Sequence, residues 1–355
     1  MEHMPRRTAI AALVALALTG CLPDLGRWQI VEGPASDGGV PGVDGGGPRT
    51  PVPIELGPPC PNPHLVVGTV TGTSNVGRVL RIDPSTNARC RDSALIESQR
   101  AYGDGVLDID WHPDTGTVLG LMDAVLGLDG EGFPRWRHQE TSFEGIQGEW
   151  VAAFGQGAST RIAVAWTERS SSIDSMVLLG ADGIVRSGMI DPPFFGAAIA
   201  AHPDGSARLL IPTRARPLIE VYDVNDLTTR LPDTSTTHLW ASGPDLPSMY
   251  GNRTHLASDV TTGRLVIAHE RGIAFWQLGA PAPATAVACP SLCSRFHAAA
   301  IDPSRADGTY AICVGSGTSS RHLVHLRGSE CSLVIDGTSL SGHTLQDVTL
   351  ARMPI

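Results

Sequence analysis

Five polar residues stand out for the chemistry their types could do. Asp108 and Asp110 lie two apart in Leu107-Asp-Ile-Asp-Trp-His112, so on an extended strand both carboxylates face one side. His255, His297 and His343 each head a short apolar run further along the chain. Imidazole nitrogens and carboxylates together suit Zn²⁺, whereas oxygens alone suit Ca²⁺. These five are therefore the candidate metal or ligand positions, provided that the fold brings them together. Glu144, Asn252 and Asp302 supply the residue types of an oxygen-ligated Ca²⁺ site, but at no recognisable spacing. His112 and His202 each precede a proline and read as turn residues ending strands.

Other chemistries are excluded by what the chain lacks. All 26 basic residues are arginines. A Walker A loop, a Schiff-base amine and the Ser-x-x-Lys nucleophile each need a lysine. Val314-Gly-Ser-Gly-Thr318 misses the frame of a nucleophile elbow, and His269-Glu270 lacks the second histidine of a zincin. The carboxylates of Asp104-Gly-Val-Leu-Asp108-Ile-Asp110 do not make a calcium loop. A net charge of -10 with only 5% aromatic residues leaves neither a basic stripe nor a stacking platform, so no nucleic-acid partner is expected.

Seven cysteines remain to be placed. Cys21 follows Arg6-Arg7, an apolar run from Thr8 to Leu18, and Leu18-Thr-Gly20. This resembles a bacterial lipoprotein signal peptide, in which a charged stretch, a short apolar stretch and small residues precede the cut. The resemblance implies export, diacylglyceryl transfer to the Cys21 thiol and acylation of its freed amine. Three acyl chains make a stable anchor, and Leu22 after the cysteine is not an acidic retention residue, which points to the outer membrane. The other six, Cys60, Cys90, Cys289, Cys293, Cys313 and Cys331, form an even set in an oxidising compartment and are expected to pair. Proximity favours Cys289 with Cys293, leaving Cys60 with Cys90 and Cys313 with Cys331.

Residues 1–20 are thus read as the signal peptide and 21–59 as a tether. From Gly33 to Pro59, 15 of 27 residues are Gly or Pro, a composition that cannot bury enough surface to order itself. As a flexible coil the tether would reach roughly 35 Å.

Residues 60–355 change character, with short Val-, Ile-, Leu- and Thr-rich runs broken by Asp-Gly turn signals such as Asp129-Gly130, Asp182-Gly183 and Asp307-Gly308. The reading is all-β. The run Leu107-Asp-Ile-Asp-Trp-His-Pro-Asp-Thr-Gly-Thr-Val-Leu119 returns as Ala198-Ile-Ala-Ala-His-Pro-Asp-Gly-Ser-Ala-Arg-Leu-Leu210, with weaker copies elsewhere. Aligning His112, Gln156, His202, Asp259 and Asp302 gives steps of 44, 46, 57 and 43 residues, the length of one propeller blade. The unit reads as Val106–Trp111, Val118–Met122, Ala124–Leu128 and Arg135–Gln139. The chain opens with three strands, Leu65–Val70, Arg78–Ile82 and Ala94–Glu97, and closes with one, Leu345–Leu350. Together these make one blade and leave no open edge.

The repeats resemble the bacterial β-propeller group over residues 64 to 352. The expected architecture is a single propeller of six four-stranded blades, with five or seven as the alternative counts. The expected role is a lipid-anchored envelope protein whose propeller binds or scaffolds an envelope protein or extracellular ligand, as a monomer and without a cofactor. The alternative is a hydrolase or lyase of the lactone or ester class with Ca²⁺ or Zn²⁺ on the propeller axis.

Overall fold

The computed structural model describes residues 60–352, apart from short segments between strands and the longer stretches 93–104 and 231–254. The leader, Cys21 and the tether lie outside the described residues, as do Glu144, His202 and Asn252.

The described strands form five four-stranded sheets and one of three strands, all antiparallel within each sheet. The second sheet holds β4 (Asp108–His112), β5 (Gly116–Gly120), β6 (Val125–Leu128) and β7 (Pro134–His138). The third holds β8 (Ile146–Phe154), β9 (Arg161–Glu168), β10 (Asp174–Gly180) and β11 (Gly183–Ile190). In the fourth are β12 (Ala198–Ala201), β13 (Ala207–Pro212), β14 (Ile219–Asp223) and β15 (Asp226–Arg230). The fifth comprises β16 (His255–Ser258), β17 (Arg264–His269) and β18 (Gly272–Gln277). The sixth comprises β19 (Cys293–Ile301), β20 (Gly308–Gly315), β21 (Arg321–Arg327) and β22 (Glu330–Ile335). The first sheet is split across the chain: β23 (His343–Ala351) pairs with β1 (His64–Thr71), which is followed by β2 (Gly77–Ile82) and β3 (Arg89–Asp92).

This is an all-β propeller, with two departures from the sequence reading. Four strands in every sheet is not what the structure shows. The fifth sheet has three strands, and its outer position is filled by one bridge, Val287 to Ile273, with hydrogen bonds in both directions at 2.7 and 2.8 Å. The third strand of the first sheet is Arg89–Asp92, whereas residues 94–97 lie outside the described residues. Apolar composition singled out Ala94–Glu97, whereas the strand that pairs with β2 contains Cys90, the partner of Cys60.

Side-chain alternation explains how the sheets stack. On β17, Leu265 and Ile267 pack towards the fourth sheet, and Val266 and Ala268 towards the sixth. Each sheet is covered on both faces, so its strands read as nearly continuous apolar runs. An apolar layer fills every gap between consecutive sheets, including that between the sixth and the first, where Tyr310 and Ile312 meet Leu65, Leu80 and Leu345. Consecutive inner strands touch in the order β23, β4, β8, β12, β16, β19 and back to β23. Close approach sets one composition detail: a Cβ on Gly127 of β6 would lie 2.1 Å from the Trp136 ring, so the indole can lie flat on β6 only over a glycine.

Three disulfides join Cys60 to Cys90, Cys289 to Cys331 and Cys293 to Cys313. Only the first matches the expected pairing. The Cys293 N–H donates to the Cys289 carbonyl at 2.8 Å, closing a turn from which the two side chains diverge. Cys293 opens β19 and reaches β20 within its sheet. Cys289, two residues past the Val287 bridge, instead reaches β22. That bond ties the outer margin of the fifth sheet to the outer strand of the sixth.

Candidate functional site

The inner strands surround a cavity of about 280 Å³ lined by, among others, Asp108, Asp110, Trp111, His255 and Asp347. On β4, Asp108 and Asp110 share the face turned towards β8, whereas Ile109 packs into the layer beneath the first sheet. Each of these acids accepts an amide of the next inner strand: Val151 N–H donates to Asp108 Oδ2 at 2.6 Å, and Ala153 N–H to Asp110 Oδ2 at 2.7 Å. Asp347, on β23, does the same one sheet earlier, accepting Ile109 N–H on Oδ2 at 2.8 Å. His255, on β16, repeats the pattern with its ring, as Ala299 N–H donates to Nδ1 at 3.3 Å. A single device is used four times, in which an inner-strand side chain satisfies a backbone donor of the following sheet that would otherwise be buried without a partner.

Three of these side chains converge. His255 Nε2 lies 3.2 Å from Asp347 Oδ1 and 3.9 Å from Asp108 Oδ1, and their ligand atoms all fall within 4.8 Å of one another. Side-chain exposure is 15% for His255, 7% for Asp108 and 3% for Asp347. Burial, then the neighbouring Asp347, push the Asp108 carboxyl well above the usual carboxylate range. Burial would raise Asp347 too, but the charge and hydrogen bond of His255 outweigh it and hold Asp347 low. Burial, helped by the charge of Asp347 and opposed by the Ala153 and Trp111 amides, takes Asp110 up to about 7. For His255, burial favours the neutral ring, but Asp347 and Asp108 together drive it up to about 10. In the neutral ring the Ala299 amide donates to Nδ1 and the proton sits on Nε2; the imidazolium carries a proton on each nitrogen and gives up that contact.

Of the five sequence candidates, then, the structure unites Asp108 and His255, sets Asp110 beside them, and separates the other two. His297, on β19, meets Arg321 Nη1 at 2.9 Å; the same guanidinium nitrogen donates to the Leu345 carbonyl at 2.9 Å. His343, at the start of β23, faces Thr69 Oγ1 at 3.4 Å in a separate small cavity with Arg78 and Arg89. Both histidines lie on inner strands, but their positions along those strands point them into joints between strands. Asp302 is also taken: it accepts from Ser304 and pairs with His325 Nε2 at 2.8 Å beneath the stacked Tyr310 ring. His112 is a buried turn residue on the Gly155 carbonyl at 3.0 Å, as expected.

Asp347 is the member that the sequence reading passed over. It lies in Leu345-Gln-Asp-Val-Thr-Leu350, recognised as an inner strand only for its apolar residues. The available signal was an acid preceding a β-branched residue within the run, as in Asp108-Ile109.

No protein-family model matches the chain, and no curated protein does. Several solved structures are similar in fold. A protein of unknown function from Bacteroides caccae is 12% identical with a TM-score of 0.53, covering 82% of this chain and 100% of its own. A chain from a nidogen/laminin complex is 13% identical with a TM-score of 0.54, at the same coverages. TolB from Acinetobacter baumannii is 12% identical with a TM-score of 0.51, over 81% of this chain and 66% of TolB. At these identities the likeness is one of fold, and the fold it supports is the β-propeller.

Proposed function

We propose that this chain is a lipid-anchored protein of the bacterial cell envelope whose propeller, a ring of six blades closed by β23 against β1, binds or scaffolds other envelope proteins or an extracellular ligand. The observation that carries this reading is the set of three disulfides, one of them between sheets. Such bonds persist in oxidising compartments, which is where a leader ending in Leu18-Thr-Gly-Cys21 would deliver the chain. Support for binding over catalysis comes from the channel, whose acids are engaged in holding neighbouring inner strands together. One structural neighbour, moreover, was solved as part of a nidogen/laminin complex.

Membrane fractionation of wild type and Cys21→Ser, followed by cross-linking in intact cells, tests the proposal. Wild type should pellet with membranes and give discrete cross-linked species, and Cys21→Ser should move to the soluble fraction with its disulfides intact. A Cys21→Ser protein that still pellets refutes the lipid anchor. Wild type that yields no cross-linked species refutes the scaffold.

A further inference from the structure

The carboxylates at the centre of the ring carry an inference that does not depend on where the protein resides. Asp347 is 97% buried, counted from its 3% side-chain exposure. Its Oδ2 is satisfied by Ile109 N–H, and its Oδ1 faces the cavity with no backbone donor, held by the ion pair to His255 Nε2 at 3.2 Å. A carboxylate oxygen held by one such contact keeps a lone pair for a further partner. Asp108 is arranged alike, with Oδ2 held by Val151 N–H and Oδ1 turned towards His255 Nε2.

We propose that Asp108 Oδ1, Asp347 Oδ1 and His255 Nε2 form a binding site for one divalent transition-metal ion. Sides of 3.2 and 3.9 Å, with the third no longer than 4.8 Å, enclose a point about 2 to 2.5 Å from all three atoms, close to the bond lengths that Zn²⁺ makes to such donors. One imidazole and two carboxylates suit Zn²⁺ or Mn²⁺ better than the all-oxygen shell of Ca²⁺. The outer oxygens of both acids are fixed by backbone amides of neighbouring inner strands, the kind of second contact that orients metal ligands. Rigid strands of three sheets supply the ligands, so the site is built before the ion arrives. The ion would take the place of the proton on Nε2. The imidazole would then carry its proton on Nδ1 and give up the long contact to Ala299.

The test uses the full chain, extracted in detergent, purified without a histidine tag and stripped with chelating resin. Equilibrium dialysis against Zn²⁺ and, separately, Mn²⁺ is read by mass spectrometry of the metal. The proposal expects one equivalent of at least one ion, at micromolar affinity or tighter. Asp347→Asn and Asp108→Asn each keep an oxygen for the Ile109 or Val151 amide, so they should fold as wild type while binding at least tenfold more weakly. An unchanged circular dichroism melt separates ligand loss from unfolding. The proposal is overturned by less than half an equivalent of both ions in wild type, or by affinity unchanged in both variants.

Discussion

Two halves of the ring hold their sheets together by different chemistry. Between the fifth and sixth sheets the outer margins are joined covalently, Cys289 to Cys331. From β23 through β4 to β8 the joints lie at the inner strands and consist of acids accepting backbone amides. A disulfide acts mainly by restricting the unfolded chain, with little regard to pH. A buried acid–amide bond acts in the folded state alone, and its worth depends on a partner that cannot find water. The two halves should therefore fail under different conditions.

The largest expected effect comes from the covalent half. The Cys289–Cys331 bond closes a span of 42 residues, so the double change Cys289→Ser, Cys331→Ser should lower stability by about 4 kcal/mol. Guanidinium unfolding would show it, and an unchanged midpoint would place no weight on this joint. In the acid-held half, Asp110→Ala leaves the Ala153 amide without its acceptor, at a cost of about 2 kcal/mol that should persist under reducing conditions. Asp110→Asn, which retains an oxygen, should recover most of it. If Ala and Asn are equally damaging, the amide contact is not what matters.

A third effect, of similar size, concerns pH. His64, at the head of β1 opposite Ala351 of β23, is buried and donates from Nδ1 to the Pro61 carbonyl at 3.2 Å. Burial first, then Arg81, lower its pKa from 6.5 to about 4. The unfolded chain therefore binds this proton more readily, and the contribution of His64 to stability is complete above pH 6.5 and lost as pH falls towards 4. Relative to His64→Asn, wild type should lose about 2 kcal/mol over that window. Parallel stability curves for the two proteins would show that His64 is not the titrating group.

Much of this architecture can be read in the sequence because its rules are local. Alternation and turn residues locate β4 to β6, and the orphan strand at Leu345–Leu350 announces that β23 must pair with β1. Asp108 and Asp110 are legible for the same reason, as neighbours on one strand. What escapes is whatever depends on a partner distant in sequence. Cys289 and Cys293 look paired because they are close along the chain, yet a single turn sends one to β22 and the other to β20. Asp347 meets His255 and Asp108 only because three blades converge. His297 and His343 stand apart from that cluster, beside Arg321 and Thr69, which are remote in sequence.

The pairing of β1 with β23, Val67 opposite Val348, also fixes an order in time. Until the last strand arrives, one side of β1 is a bare row of backbone donors and acceptors, able to pair with any extended segment nearby. The ring cannot shut as the chain emerges; it shuts once, at the end, through a contact spanning nearly the whole domain, the kind that slows folding most.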